Sequence, residues 1–508
     1  MSNVAKISRK KTTLWTLFFA YTTIAYAVIS GIVLVPLYLR YISVDLYGAW
    51  LASGNLLAWL TVIDPGISTV VLQRVSISYG EKNYSALMSY VNAGVLVTSA
   101  IVVIVVIGGW IVSIYLPEII GFKEAEEGQI LKDAFFLAVL GSALMLLSFS
   151  VGAANRGILG SIGPGLVVLF GNIGTLVLTL ILLFWDFGLF AIAWGLFFRG
   201  ASYLLGHVFY FLLRAYRDKM KVSISFERVT ELFHLMAFTS FGKVGYVLTN
   251  NMDALLIARF LGPESVPVFV LTRRSYSVAE MILNRTGNAI APSLSHLKGE
   301  GDRVKVQGIL YRLLRLNIWL LGLAFAGFFA FNDDFVRLWV GERFFAGSFV
   351  SYLLCIWMVA SVILTLMQTL CIALGDIKRN AAIQFVQAII IFPLLVSGIY
   401  FFGFIGAVMA PLIGLIAISS WYYPKSLSHH GSMTRGAWKR LKVEAIRSIL
   451  LGVTVGALFL GLKPGDWLSF ILCAAALVLL YCISLFLVSH SARDVFKHFA
   501  QRINLLPS

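Results

Sequence analysis

The membrane topology of this chain depends on residues 268–294, which read VFVLTRRSYSVAEMILNRTGNAIAPSL. The stretch has the length and aliphatic content of a membrane span, yet it carries Arg273, Arg274, Glu280 and Arg285. One charged side chain at the bilayer centre costs roughly 2.5–3.5 kcal/mol on insertion scales, so four on one helix would cost on the order of 10 kcal/mol against lipid. We therefore expect the charged side of this helix to face protein or water.

The composition places the rest of the chain in the membrane as well. Its 508 residues are 59% hydrophobic and 13% charged, and the mean hydropathy is +0.88, which is typical of polytopic membrane proteins. The net charge of +16 falls in short loops rather than on one soluble patch, which argues against a nucleic-acid partner. The four cysteines lie inside apolar segments without metal-ligand spacing, so no metal site and no catalytic residue is predicted.

The hydropathy pattern predicts an all-α fold with fourteen membrane spans, since about 20 apolar residues cross a bilayer. The predicted spans lie near 14–38, 47–72, 87–116, 134–155, 164–185, 188–213, 233–260, 266–294, 308–331, 347–374, 381–402, 405–423, 446–462 and 467–489. Lys and Arg concentrate in alternate loops, which predicts that both termini are cytoplasmic. If residues 268–294 did not cross, every later basic loop would change sides, so a crossing is favoured.

An internal repeat with a constant offset divides the chain. Comparison of YLRYISVDLYGAW (38–50) with IARFLGPESVPVF (257–269) places Arg40 over Arg259 and Asp45 over Glu264, both 219 residues apart. Gly80 and Glu81 fall at the same offset from Gly299 and Glu300. The pattern predicts two pseudo-symmetric six-helix bundles in parallel topology plus two C-terminal helices, with the substrate in the cleft between the bundles.

The repeat also sets the expected domain limits. We predict an N-terminal six-helix bundle at 1–213, a cytoplasmic linker at 214–232, a C-terminal six-helix bundle at 233–424, a basic cytoplasmic loop at 425–445, and two additional helices with a cytoplasmic tail at 446–508. Loops this short leave no room for a separate catalytic domain, and no GxxxxGK phosphate loop is present.

Cationic side chains recur in the first two helices of the second half. At 100° per residue, Arg273, Glu280 and Asn284 share one stripe, whereas Arg274 and Arg285 share a second. The predicted cationic cavity is lined by Arg273, Arg274, Arg285, Lys243, Arg259, Asn250 and Asn284. Arginine forms forked hydrogen bonds with phosphate, so a pyrophosphate or an acidic sugar would supply the counter-charge. The alternative is that Glu280 with Arg273, and Asp253 with Lys243, only fix helix packing.

Four further positions are candidates for motion or ion coupling. Asp64 and Pro65 lie deep in the second predicted span, where a proline can kink the helix and act as a hinge. Asp64, Asp253 and Glu280 could each carry a proton or sodium ion during the transport cycle.

The chain resembles the polysaccharide flippases of the multidrug/oligosaccharidyl-lipid/polysaccharide (MOP) exporter superfamily. The resemblance rests on IDPGISTVVLQRVSISYGEKN (63–83), on GNAIAPSLSHLKGEGD (287–302), and on the two six-helix bundles plus two helices. Asp64-Pro65-Gly66 departs from the commoner DLGxG form of the first motif. The resemblance implies a translocase without a cofactor, driven by supply or by a proton or sodium gradient, in the bacterial cytoplasmic (inner) membrane.

By the same resemblance, the substrate would be an undecaprenyl-diphosphate-linked repeat unit for O-antigen (lipopolysaccharide), capsule or exopolysaccharide, moved by alternating access. Membrane lipid and the polymerase and chain-length proteins of the pathway would be its partners. A lipid II flippase and a drug or cation antiporter of the same fold stay open as alternatives, although an antiporter for cations would favour acidic cavity residues. A membrane polysaccharide polymerase is the alternative of a different class, and it would need a larger extramembrane loop.

Overall fold

The computed structural model describes residues 9–62, 67–122, 125–158, 160, 162–221, 223, 225–234, 252–299, 301–430, 433–489 and 491–493. Within these ranges the chain is helical and contains no strand. The all-α fold predicted from hydropathy is therefore confirmed for the described part of the chain.

The chain divides into two compact units, Met1–Pro267 and Val268–Ser508. The helices of the first unit are α1 (Arg9–Tyr41), α2 (Val44–Val62), α3 (Ile67–Gly80), α4 (Tyr84–Ile120), α5 (Ala125–Gly157), α6 (Ile162–Phe184), α7 (Leu189–Arg217) and α8 (Asp253–Leu261). The division falls inside the next helix, α9 (Ser265–Thr272).

The helices of the second unit continue from α9. They are α10 (Arg274–Gly299), α11 (Arg303–Trp339), α12 (Ser348–Ala373), α13 (Ile377–Phe402), α14 (Phe404–Gly414), α15 (Ser420–His430), α16 (Arg435–Phe459) and α17 (Trp467–Val488). A π-helical turn, Leu415–Ser419, joins α14 to α15 into one continuous but distorted span.

Ten of the helices in the described ranges are long and apolar enough to cross a membrane. Two of the other predicted spans, at 47–72 and 233–260, include residues outside the described ranges. The span at 266–294 is divided between α9 and α10, and both α10 and α16 are rich in charge. The chain is thus a multi-pass membrane protein, and the number fourteen stays a prediction.

Helix α5 is the centre of the first unit, where it packs against α7, α4 and α3. Its contact with α7 is close because two glycines meet there. A Cβ atom at Gly200 would lie 2.0 Å from the carbonyl oxygen of Gly141, so any larger residue would force the two helices apart. Small residues at such crossings provide van der Waals contact where lipid supplies no hydrophobic driving force between helices.

Helix α11 has the same central place in the second unit, between α16, α12, α10 and α17. Polar groups join these helices: the Ser448 hydroxyl donates to the carbonyl oxygen of Ile318 (2.9 Å), and the Tyr481 hydroxyl lies 3.0 Å from the carbonyl oxygen of Trp319. The buried Glu444 carboxylate accepts from Trp319 Nε1 at 3.1 Å and from the Ser489 hydroxyl. The two C-terminal helices are therefore fixed to the second unit by buried hydrogen bonds.

The offset of 219 residues is reproduced by one pair of helices. Helices α4 and α11 both contain 37 residues, and both their first and last residues are 219 positions apart. Their N-caps are Asn83 and Asp302, whose side chains accept from the backbone N–H groups of Ala86 and Lys305. The repeat predicted from sequence is confirmed for this pair, down to the capping hydrogen bond.

Two segments predicted as loops are partly helical. Helix α15 ends at His430 and α16 begins at Arg435, so most of the predicted basic loop at 425–445 belongs to helices. In the predicted linker at 214–232, α7 continues to Arg217 and residues 226–234 are again helical. Helix ends extend beyond the apolar core here because amphipathic turns with basic residues are stable at the membrane surface.

Candidate functional site

The charged stretch at 268–294 is interrupted at Arg273, between α9 and α10. A helix end leaves carbonyl groups that need other partners. Asn332 on α11 supplies one, because its Nδ2 donates to the carbonyl oxygen of Thr272 (3.0 Å) and to the Ser351 hydroxyl (3.0 Å). Its Oδ1 accepts from the Ser275 hydroxyl at 2.5 Å. The interruption is thus held from both sides by one buried amide.

Thr272 stabilises the same interruption from the α9 side. Its hydroxyl donates to the carbonyl oxygen of Val268 (2.7 Å) and accepts from the backbone N–H of Ala346 (2.9 Å). The short turn after α11, which contains Ala346, is thereby fixed against the end of α9. Backbone polar groups inside a membrane must be satisfied within the protein, and these bonds meet that requirement.

Arg273 and Glu280 both face α12. The Arg273 guanidinium lies 4.2 Å from the ring centroid of Trp357 and 5.2 Å from that of Tyr276, and these two rings stack on each other. One turn further along both helices, the Ser361 hydroxyl donates to Glu280 Oε1 at 2.8 Å. A cation over desolvated aromatic faces is stabilised by the ring quadrupoles. These contacts give Arg273 and Glu280 a packing role between α10 and α12.

The side of α10 that faces α11 carries hydroxyl groups. Ser275 meets Asn332, as described above, and the Thr286 hydroxyl donates to Asn317 Oδ1 at 3.1 Å. Asn317 in turn donates to the carbonyl oxygen of Leu313 at 3.0 Å. Asn317 and Asn332 therefore join α10 to α11 at two levels.

Arg274 and Arg285 lie on the third side of α10, which neither α11 nor α12 covers. At 100° per residue they are about 20° apart, and each is about 60° or more from the nearest residues that hydrogen-bond to α11 or α12, which are Ser275, Glu280 and Ser295. Arg274 is half-buried and Arg285 is exposed. Asn284 lies on the side that faces α12, about 40° from Glu280, and its buried Oδ1 accepts no hydrogen bond from the described residues. We name Arg274 and Arg285 the open arginine face.

Two other predicted site residues belong to the first unit. Arg259 is in the last turn of α8, and its Nη1 would lie 3.2 Å from a Cβ atom at Gly121, the C-cap of α4. A cation at the carboxyl end of a helix is favoured by the helix dipole, so this position has a structural explanation. Asp253 begins α8, and its Oδ1 accepts from the backbone N–H of Ala254 at 2.9 Å.

The remaining predicted residues, Lys243, Asn250, Asp64 and Pro65, lie outside the described residues. Helix α2 ends before the Asp64-Pro65-Gly66 motif, and helix α3 begins after it. The cavity that these residues were predicted to form together with the open arginine face stays a prediction.

Sequence reasoning missed Asn332, Asn317, Trp357 and Ser361. A signal existed for the two asparagines, since each interrupts the long apolar run of α11 and the two are 15 residues apart, which places them within about 60° of each other on a helix. Trp357 and Ser361 look like ordinary residues of an apolar span, and only the packing of α12 on α10 reveals their partners. Among the described residues, no group of three or more His, Cys, Asp and Glu side chains is placed to hold a metal ion.

Comparison with known proteins agrees with this architecture. A family model described as "Polysaccharide biosynthesis protein" matches residues 166–347. The chain is 21% identical over 486 residues to "Uncharacterized membrane protein EpsK" of Bacillus subtilis (strain 168), which covers 92% of each chain.

Two solved structures of membrane transporters share the fold. One is the lipid II flippase MurJ in an inward closed conformation, with 15% identity, a TM-score of 0.69, and coverage of 95% of this chain and 100% of that chain. The other is an inward-facing multidrug resistance MATE family transporter of the MOP superfamily, with 11% identity, a TM-score of 0.66, and coverage of 84% and 94%. The fold implied by the resemblance to the MOP superfamily is therefore confirmed.

Proposed function

We propose that this protein is a flippase that moves an undecaprenyl-diphosphate-linked repeat unit across the bacterial cytoplasmic membrane for polysaccharide biosynthesis. The match to a polysaccharide biosynthesis family model and the fold shared with a lipid II flippase support this class of function. The observation that carries the proposal is the open arginine face, where two guanidinium groups lie on a side of α10 left uncovered by α11 and α12.

The chemistry of the open arginine face suits a diphosphate. Two arginines that are eleven residues apart are separated by about 16 Å along the helix axis, since the rise is about 1.5 Å per residue. One arginine can therefore contact the diphosphate while the other contacts an acidic sugar next to it. Guanidinium groups bind phosphate oxygens through paired, charge-assisted hydrogen bonds. A cationic face of this kind disfavours the cationic substrates of a drug antiporter.

In this proposal the protein works by alternating access, with both termini on the cytoplasmic side and the lipid tail left in the membrane. A proton or sodium gradient acting through Asp64, Asp253 or Glu280 could drive the cycle. Glu280 has a defined partner for such a role, because the Ser361 hydroxyl donates to its carboxylate. The polymerase and chain-length proteins of the pathway would receive the translocated unit.

The test is transport in cells that lack the native gene and express variants from a plasmid. A membrane-impermeant sugar-modifying reagent applied to intact cells reports how much of the undecaprenyl-linked unit reaches the outer face. Arg274→Ala and Arg285→Ala should each reduce transport by about 10- to 100-fold, the value of one lost charged hydrogen bond, and lysine should restore part of it. Arg379→Ala, an exposed arginine at the start of α13, is the matched control.

Two results would contradict the proposal. One is normal transport in the double variant with Arg274 and Arg285 both replaced by alanine, at unchanged protein level in the membrane. The other is that cells without the gene still expose complete units on the outer face, which would place the function of this chain after translocation.

A further inference from the structure

A groove in the second unit lies apart from the open arginine face. It has a volume of about 690 Å³ and is bounded by α11, α12, α15 and α16, without any residue of α10. Its wall is mainly aliphatic and includes Ile318, Leu321, Ile363, Met367 and Ile449. We name it the α16 groove. An apolar groove between membrane helices is suited to hydrocarbon rather than to sugar.

One end of the α16 groove is strongly cationic. Lys425, Arg435, Lys439 and Lys442 all line it and are all exposed, and no Asp or Glu of the described chain is among the lining residues. These four cations are at the end of the helices that the positive-inside rule assigns to the cytoplasm.

Three of these cations are placed where a helix disfavours them. Arg435, Lys439 and Lys442 lie in the first two turns of α16, whose first turn contains no acidic residue. The amino end of a helix carries a partial positive charge, and like charges four residues apart repel each other. Within the described residues none of the three forms an ion pair, since the nearby Glu444 is buried and accepts from Trp319 and Ser489. An anion bound at this end would stabilise the arrangement.

An aromatic side chain lies among the cations of the groove. Trp438 lines the groove, and its Nε1 donates to the Ser428 hydroxyl on α15 at 2.8 Å. Tryptophan with one polar and one apolar edge is typical of the depth at which lipid headgroups meet acyl chains. The groove therefore combines a cationic end, an interfacial indole and an apolar wall.

We propose that the α16 groove binds an anionic glycerophospholipid of the cytoplasmic leaflet. Its phosphodiester would contact Arg435, Lys439 and Lys442, and one acyl chain would lie along the aliphatic wall between α11 and α12. Charge complementarity supports this occupant, because basic pockets between membrane helices on the cytoplasmic side favour anionic headgroups. The site is independent of the substrate proposal, since its residues belong to other helices than the open arginine face.

The test measures lipid binding to the purified full-length protein by native mass spectrometry. Dioleoylphosphatidylglycerol and dioleoylphosphatidylcholine, which have the same acyl chains, are titrated in parallel. We expect tighter binding of the anionic lipid. The triple variant Arg435→Gln, Lys439→Gln, Lys442→Gln should weaken it by about 100-fold, since each basic residue contributes roughly 1 kcal/mol and about 1.4 kcal/mol is a factor of ten. Phosphatidylcholine binding should change little.

Two further variants separate charge from shape. The control triple variant Lys219→Gln, Lys378→Gln, Arg379→Gln removes the same charge from exposed positions outside the groove and should bind phosphatidylglycerol normally. Ala445→Trp fills the apolar part without altering charge and should weaken binding of the anionic lipid as well. Elution of each variant as a single peak in size-exclusion chromatography verifies that it is folded.

Several outcomes would overturn the proposal. Equal loss in the two triple variants would show that only net charge attracts the lipid, and full binding by Ala445→Trp would show that the apolar groove is empty of acyl chain. If glycerol phosphate competed as strongly as the intact lipid, the groove would be a simple anion site. Undecaprenyl phosphate displacing phosphatidylglycerol at lower concentration would reassign the groove to the polyprenyl carrier. Because the readout is lipid binding, failure of the transport proposal leaves the result interpretable.

Discussion

The three arginines between residues 273 and 285 have different environments in this protein. Arg273 lies against Trp357 and Tyr276, whereas Arg274 and Arg285 lie on the open arginine face. A partly desolvated cation–π contact is worth about 2 kcal/mol. We therefore expect Arg273→Ala to lower the melting temperature of the purified protein, and Arg274→Ala and Arg285→Ala to leave it unchanged while transport falls. Equal melting temperatures for all three variants would remove the distinction between packing and binding arginines.

Asn332 is the residue on which the interruption before α10 depends. Asn332→Leu would keep the volume but leave the Thr272 carbonyl oxygen without its side-chain donor. A buried polar group left unsatisfied costs about 1–3 kcal/mol, so thermal unfolding in detergent should occur at a clearly lower temperature. Ser351→Ala is the matched control, because it removes only one partner of the same amide and should have a smaller effect. An unchanged melting temperature for Asn332→Leu would show that the helix interruption is maintained without it.

The sequence identified the charged residues of this region but not their division into two roles. Periodicity placed Arg274 and Arg285 on one stripe and Arg273 with Glu280 on another, and the structure keeps that separation. Which stripe is open depends on where α11 and α12 pack, and that information comes from residues more than 50 positions away, such as Asn332 and Trp357. Local sequence cannot provide it. The break at Arg273 was missed for the same reason, because no glycine or proline marks it.

Two glycines of helix α11 have different surroundings. A Cβ atom at Gly322 would lie 2.2 Å from the Ser448 hydroxyl oxygen on α16, whereas one at Gly327 would meet nothing within 4 Å. We expect Gly322→Ala to destabilise the contact between α11 and α16 by about 1–3 kcal/mol, the usual cost of overpacking. Gly327→Ala should be neutral or slightly stabilising, because alanine is the better helix former.

Thermal unfolding of the two glycine variants, compared with the natural protein, is the measurement. A melting temperature for Gly322→Ala equal to that of Gly327→Ala would mean that α16 can shift without cost. Such freedom would also weaken the case for a fixed α16 groove, since α16 forms one of its walls.

Hydropathy and the internal repeat predicted most of the helical elements of this protein. The repeat of 219 residues is matched by α4 and α11 even in their N-caps, which shows that capping residues belong to the duplicated pattern. The boundary between the units was harder to place. The sequence put the start of the second bundle at 233, and this limit stays a prediction. In the structure α8 packs with α2 and α4 inside the first unit, and the Arg259 side chain lies beside the C-cap of α4.

The basic loops of the chain predict its orientation in the membrane. The basic residues of alternate loops place Lys221 in the cytoplasm and Glu126 outside, by the positive-inside rule. Both side chains are exposed, so each can be replaced by cysteine in a background whose four natural cysteines are changed to serine or alanine. A membrane-impermeant maleimide should label Glu126→Cys in intact spheroplasts, and Lys221→Cys only after permeabilisation. The opposite labelling pattern would place both termini outside. It would also place the cationic end of the α16 groove on the outer surface, away from the anionic lipids of the cytoplasmic leaflet.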